Sequence, residues 1–181
     1  MAGPARHWYV MLFPAEEERR AILAALRPLA ERTCGELNED VHVTVGYFRG
    51  EVAAEAVVER LRPLDGPQIE VHASGLFSFS DEPDPLAGWS LSLRVRREGP
   101  VQGWQRIVRD ALAPLPLAPV FSWQEQQPHM VLLRHLPLPP SEVLTGLADR
   151  RCALAFTATR VVVSERVGTE FTNHLEQPLR G

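Results

Sequence analysis

The chain contains no lysine; all 19 of its basic residues are arginine. Lysine is therefore excluded as nucleophile or base, and any anion must be held by guanidinium groups, whose planar fork suits phosphate. Cysteine is scarce as well. Cys34 and Cys152 stand far apart with neither metal-type nor redox-type spacing, so free thiols are expected and a disulfide is not. The apolar runs are strand-sized and interrupted, which argues against a membrane span, and no apolar leader precedes the first strand pattern. The expectation is a cytoplasmic protein.

An excess of positive charge is also missing. A net charge of -4 does not suit a protein that coats long nucleic acid through its phosphates, and leaves small nucleotides or an RNA end as phosphodiester partners. Nothing matches a Walker loop, a dinucleotide-binding glycine turn, a zinc-protease helix or a nucleophile elbow. Metal, nucleotide-cofactor and serine-hydrolase mechanisms have no support, so no cofactor and no metal are expected.

What is present is ordinary globular composition. A chain of 181 residues with 45% hydrophobic and 23% charged content is long enough to bury a sizeable core. One domain over residues 1–181 is expected, as a monomer. Periodicity predicts a strand at 7–13 and a helix at 15–32, with Glu16, Glu17 and Glu18 in its first turn and Pro28 kinking or shortening it. A strand follows at 41–50, then a helix at 51–62 and one long strand or a strand pair at 68–79. The acidic, proline-rich stretch 80–88 marks a boundary. Beyond it the order repeats: a strand from Trp89 to Val95, a helix at 101–112, an extended connection through Pro114, Pro116 and Pro119, and an apolar strand after Pro128. A short helix at 141–150, N-capped by Ser141, and a closing β run at 153–164 complete the pattern. The expected fold is α+β, with two pseudo-symmetric lobes, about 6–80 and 88–168, of antiparallel sheet with outer helices around a central cleft.

Each half carries one histidine in a strand. In Val41-His42-Val43-Thr44-Val45, alternation points the valines to one face and His42, Thr44 and Gly46 to the other. In Pro128-His129-Met130-Val131-Leu132-Leu133-Arg134, the same counting sets Met130 and Leu132 on one side and His129, Val131 and Leu133 on the opposite one. By that count Arg134 lies opposite His129. If the two strands are neighbours, two imidazoles face one cleft.

Two histidines suit the opening of a 2',3'-cyclic phosphate. Water attacks phosphorus in line with the departing ribose oxygen, so one group removes a proton while another supplies one. An imidazole pKa of about 6.5 lets one ring be neutral and the other protonated near neutral pH. A hydroxyl two residues after each histidine emerges on the same face and stabilises the growing phosphoryl charge. Thr44 supplies such a hydroxyl; Val131 does not. Tyr47 and Phe48 after the first motif, with Phe121 and Trp123 before the second, are candidates to stack on a base, although aromatic residues at strand ends more often belong to the core.

The two motifs, the opening strand at 7–14, the aromatic-glycine exit at 47–50 and the proline-led second motif ending in Arg134 resemble the 2H phosphoesterase superfamily, in its 2'-5' RNA ligase or RNA 2',3'-cyclic phosphodiesterase branch. Nearly the whole chain follows the expected order, with Val131 in place of the second motif's hydroxyl residue. The resemblance implies a metal-independent cyclic phosphodiesterase, with His42 and His129 catalytic and a 2'-phosphomonoester as product. Thr44, Arg134, Tyr47, Phe48 and Trp123 are the candidate substrate contacts. Two other readings follow from Val131: a binding or regulatory protein on the same fold, or a specialised-metabolism enzyme whose substrate lacks phosphate. His7, His72, His135 and His174 are assigned surface or structural positions, with His72 the reserve candidate and His174 in a polar tail.

Overall fold

The computed structural model describes residues 6–78, 88–96, 98–120, 127–147 and 152–181. Its elements run β1 (Arg6–Pro14), α1 (Glu16–Thr33), β2 (Glu36–Leu37), β3 (Val43–Arg49), α2 (Ala54–Leu61), β4 (Ile69–Phe77), β5 (Trp89–Val95), α3 (Pro100–Leu112), β6 (Ala118–Pro119), β7 (His129–Leu136), α4 (Pro140–Gly146), β8 (Ala153–Val167) and β9 (Glu170–Pro178). The strands form one nine-stranded sheet in the order β2-β7-β5-β4-β8-β1-β3-β6, with β9 also on β8. All of its strand pairs are antiparallel. This is the α+β architecture expected from the sequence.

The length of β8 explains how the two halves share one sheet. Its 15 residues pair with β1 along one edge, and with β4 and then β9 along the other. The β-branched run Val161-Val162-Val163 fits a strand covered on both faces. Val161 and Val163 join the main core with Val10 and Leu12, while Val162 packs with Met11 and Phe13 on the other face. The helices lie over the first face. Ile22, Leu26 and Leu29 of α1, together with Val101, Trp104, Val108 and Leu112 of α3, close the core against the sheet. Core burial of this kind stabilises by about 25 cal/mol for each Å² of apolar surface removed from water.

Three local expectations need correction. Pro28 neither ends nor shortens α1, which continues to Thr33. Its last turns are held by buried Leu29 and Ala30, and by the Thr33 hydroxyl donating to the Leu29 carbonyl at 2.9 Å. Ser141 does not cap α4: the helix begins at Pro140 and ends at Gly146, while 148–151 lie outside the described residues. Residues 170–178 are not a tail. They form β9, where Ser164 Oγ donates to Asn173 and His174 meets the buried Glu165 carboxylate at 2.9 Å. Of the two forms expected over 68–79, one long strand is the one present, β4, whose register shifts between Ser74 and Leu76, at left-handed Gly75. The boundary stretch 80–88 lies outside the described residues except for Gly88.

Candidate active site

The two histidine strands meet where the ends of the sheet approach each other. The two-residue β2 adds to the edge of β7, and the chain then turns through 38–42 into β3, at the other end of the strand order. Asn38 fastens this seam. Its N–H donates to the Leu132 carbonyl at 2.8 Å, and its side-chain amide donates to the Val131 carbonyl at 3.0 Å and the Asp40 carbonyl at 3.1 Å. The Asp40 carbonyl also accepts from His42 Nδ1 at 2.6 Å. One buried amide thus links the carbonyl that orients the first histidine to the strand that carries the second. Sequence reasoning missed Asn38, although an asparagine two residues before an aspartate is a recognisable turn signal.

The environments of the two rings repeat. His129 Nδ1 donates to the Gln127 carbonyl at 3.1 Å, as His42 Nδ1 does to Asp40. A carbonyl only accepts, so each bond fixes the tautomer with the proton on Nδ1 and makes Nε2 the basic nitrogen. Each ring also faces a phenylalanine. Phe13 tilts against His42 with centroids 5.2 Å apart, and Phe77 meets His129 edge-on at 6.1 Å. Burial is the main cause that pushes His42 down to about 4, with the positive charges of Arg134 and His129 also acting against its protonation. Part of the residue's surface still meets solvent. His129 is lowered by burial as well, opposed by its bond to Gln127. The charge effect of His129 on His42 places the two imidazoles within electrostatic reach of one another.

Two register shifts rearrange the faces predicted by simple counting. Between Val10 and Met11 the β1 pairing jumps from Gly46 to Thr44, leaving Val45 as an extra residue. Thr44 stays on the His42 side, and no hydrogen bond among the described residues engages its hydroxyl. Gly46 turns to the core instead. A Cβ there would come within 2.9 Å of Phe48 and 2.8 Å of Val108, so glycine is required by close packing. Phe48 follows it into the core at 7% exposure and is not offered to a base. Tyr47 takes the working face, stacked on Tyr9 at 4.5 Å with its hydroxyl 3.0 Å from His7 Nδ1. The His7 ring is lowered by burial and by the charges of Arg166 and Arg49.

The second shift lies between Leu91 and Ser92, which pair with Leu133 and Val131 respectively. Leu132 is the extra residue here. Leu132 and Leu133 are both buried in the core, which returns Arg134 to the side of His129. Its charge acts on His42 from there. Val131 faces Ser92, whose hydroxyl is fully buried and, among the described residues, has no hydrogen-bond partner. The position that lacks a hydroxyl therefore lies against one that lacks a partner. Trp123 and Phe121 lie outside the described residues. His135 is exposed with left-handed backbone, and His72 lies 3.3 Å from Glu70 on β4, away from both motif strands. Among the described residues, no group of three or more His, Cys, Asp or Glu side chains converges to hold a metal ion. No helix there is long and apolar enough to cross a membrane.

No protein-family model and no curated protein matches the chain. Solved structures do. LigT of E. coli in its apo form superposes with a TM-score of 0.65 at 14% identity, covering 99% of this chain and 100% of that one. TT0787 of Thermus thermophilus gives 0.62 at 16% identity, over 97% and 98% of the two chains. Usb1 of Kluyveromyces marxianus, solved with uridine monophosphate, gives 0.57 at 14% over 96% and 98%. LigT has also been solved with 3'-AMP and with phosphate. The fold is that of the 2H phosphoesterases, as the motifs led one to expect.

Proposed function

We propose that the protein is a 2H phosphoesterase that hydrolyses a 2',3'-cyclic phosphate, on an RNA end or a small nucleotide, without a metal ion. The observation that carries this reading is the matched pair of imidazoles, each with Nδ1 donating to the carbonyl two residues before it, and each with Nε2 as its basic nitrogen. His42, held neutral by burial and by Arg134, takes the proton from the attacking water. His129 returns a proton to the departing ribose oxygen. The Thr44 hydroxyl and Arg134 guanidinium hold the non-bridging oxygens, where charge grows. Small-nucleotide complexes of the fold's relatives agree with such a site.

Hydrolysis of a cyclic mononucleotide in the presence of a chelator tests this. His42→Ala and His129→Ala should each abolish most turnover, whereas His135→Asn, which suits the left-handed backbone at that exposed position, should not. Turnover that requires an added metal, or that survives both alanine variants, overturns the reading. A diester with a nitrophenolate leaving group separates the two roles. Such a group departs without a proton, so His129→Ala should recover on it and His42→Ala should not. The second reading, a binding protein with weak turnover, draws on Val131 and the unpartnered Ser92 hydroxyl beside it.

A further inference from the structure

The working face does not end at His129. Beside it opens a groove of about 700 Å³ lined by His72, Ser74, Arg94, Arg96, Ala153 and Ala155, among others. Register ties this groove to the histidine. Arg94 is the cross-strand partner of His129 on one side and of Ser74 on the other, and His72 and Ser74 pair with Ala155 and Ala153. Directly opposed residues share a face, with Cα atoms roughly 5 Å apart, and Arg96 lies roughly 7 Å further along β5 on the same side. Phe77 bridges the two regions: its ring carries the Arg94 guanidinium at 5.0 Å and meets His129 edge-on.

Charge gives the groove a direction. Among the described residues, neither Arg94 nor Arg96 is paired with a carboxylate, while the one carboxylate beside the groove lining, Glu70, lies 3.3 Å from His72. Glu70 sits on His72 at the end remote from His129, so the net positive charge rests on the two guanidinium groups nearer the catalytic face. Ala153 and Ala155 keep the opposite wall low, leaving room for a chain to lie across the strands.

We infer that this groove is a second phosphate subsite, which takes the phosphodiester next to the reacting one. The preferred substrate is then an RNA oligonucleotide ending in a 2',3'-cyclic phosphate, not a cyclic mononucleotide, which has no second phosphate to place there. This inference rests on the hydrolase reading for its reaction, and on the groove alone for its ligand. It also reconciles an acidic protein with an RNA substrate: two guanidinium contacts suffice to grip one neighbouring phosphate without coating a long chain.

The test compares kcat/KM on a cyclic mononucleotide with that on a trinucleotide bearing the same cyclic end, for the wild type and for Arg94→Gln/Arg96→Gln. The trinucleotide should be preferred, and the preference should fall by about tenfold for each guanidinium removed. The dependence of the trinucleotide rate on salt should flatten too, by roughly one unit of log–log slope per arginine. Equal rates on the two substrates, or a preference unchanged in the double variant, overturn the subsite while leaving the histidine reading intact. A wild type inactive on both substrates defeats the hydrolase reading instead. Fluorescence anisotropy of a labelled trinucleotide with a 3'-phosphate then decides the groove: weaker binding by the double variant supports it, and equal binding overturns it.

Discussion

The two motif strands share a design and differ in chemistry. Both hold an imidazole by the same backbone bond against a phenylalanine, and both contain a one-residue register shift that moves a downstream side chain to a new face. The first strand keeps a hydroxyl at Thr44; the second has Val131 against a buried, unpartnered Ser92. Charge separates them further: burial is the main cause at both rings, and at His42 the positive charge of Arg134 adds to it. A site built from two near copies can therefore assign them different tasks, because the surroundings set the proton affinity of each ring.

Removing either imidazole should break the comparison most severely. His42→Ala and His129→Ala are each expected to lower turnover of a cyclic phosphate by about 10² to 10⁴, the usual contribution of a positioned proton-transfer group. If one variant stays near wild type while folded, the strands are not partners in one reaction. Thr44→Val, which makes the first strand like the second, should cost about 10² to 10³ in kcat as a lost phosphoryl-oxygen donor. An unchanged rate would remove Thr44 from the site.

The reverse change sharpens the contrast. Val131→Thr adds a hydroxyl with little change in volume, directly opposite Ser92. Two outcomes are expected together: a gain in rate of up to about 10²-fold, and a small rise in Tm if the new hydroxyl satisfies the Ser92 oxygen. A more stable protein with no faster turnover would show that the new hydroxyl serves Ser92 alone. Loss of ligand affinity would mark Val131 as an adaptation to a more apolar substrate.

The smallest effects lie in pH and at the seam. A histidine whose folded pKa is lowered favours the native state only while it is neutral. Stability from His42 should be fully present above an unfolded pKa of about 6.5 and be lost as pH falls towards about 4. Chemical denaturation of wild type and His42→Gln at several pH values checks the sign, since the variant should lose less stability across that window. For activity, kcat/KM should decline on the alkaline side from below pH 6.5, because a buried His129 gives up its proton early. Asn38→Ala removes the amide that joins Asp40 to Val131, and should cost about 1–3 kcal/mol while loosening His42.

Much of this was legible before any coordinates. Strand and helix positions followed from periodicity, because the core face of each element is nearly unbroken: Val43 and Val45, Leu91 and Leu93, and Val101, Trp104 and Val108. The histidine motifs stood out for the same reason, as polar residues in apolar strands. The two-residue strands β2 and β6 were not foreseen, and the one long element missed was β9, whose largely exposed Glu-Phe-Thr-Asn-His pattern carries little hydrophobic signal and whose strand character comes from pairing with β8. Pro28 misled because packing of α1 against the sheet outweighs the single hydrogen bond that a proline removes.

What the sequence determined by itself was local: which segments extend or coil, which residues carry protons, and that the two histidine strands are alike. What the tertiary structure decided was relative. Strict alternation holds only until a register shift, so Gly46, Phe48, Leu133 and Arg134 each changed face when Val45 and Leu132 became extra residues. Such shifts are set by how neighbouring strands pair, and pairing joins residues far apart in the chain; no local pattern encodes it. The same reason explains Asn38 and the Arg94–Arg96 groove. Their meaning lies in what long-range pairing brings beside them: a second histidine strand in one case, and an open, unneutralised stretch of sheet in the other.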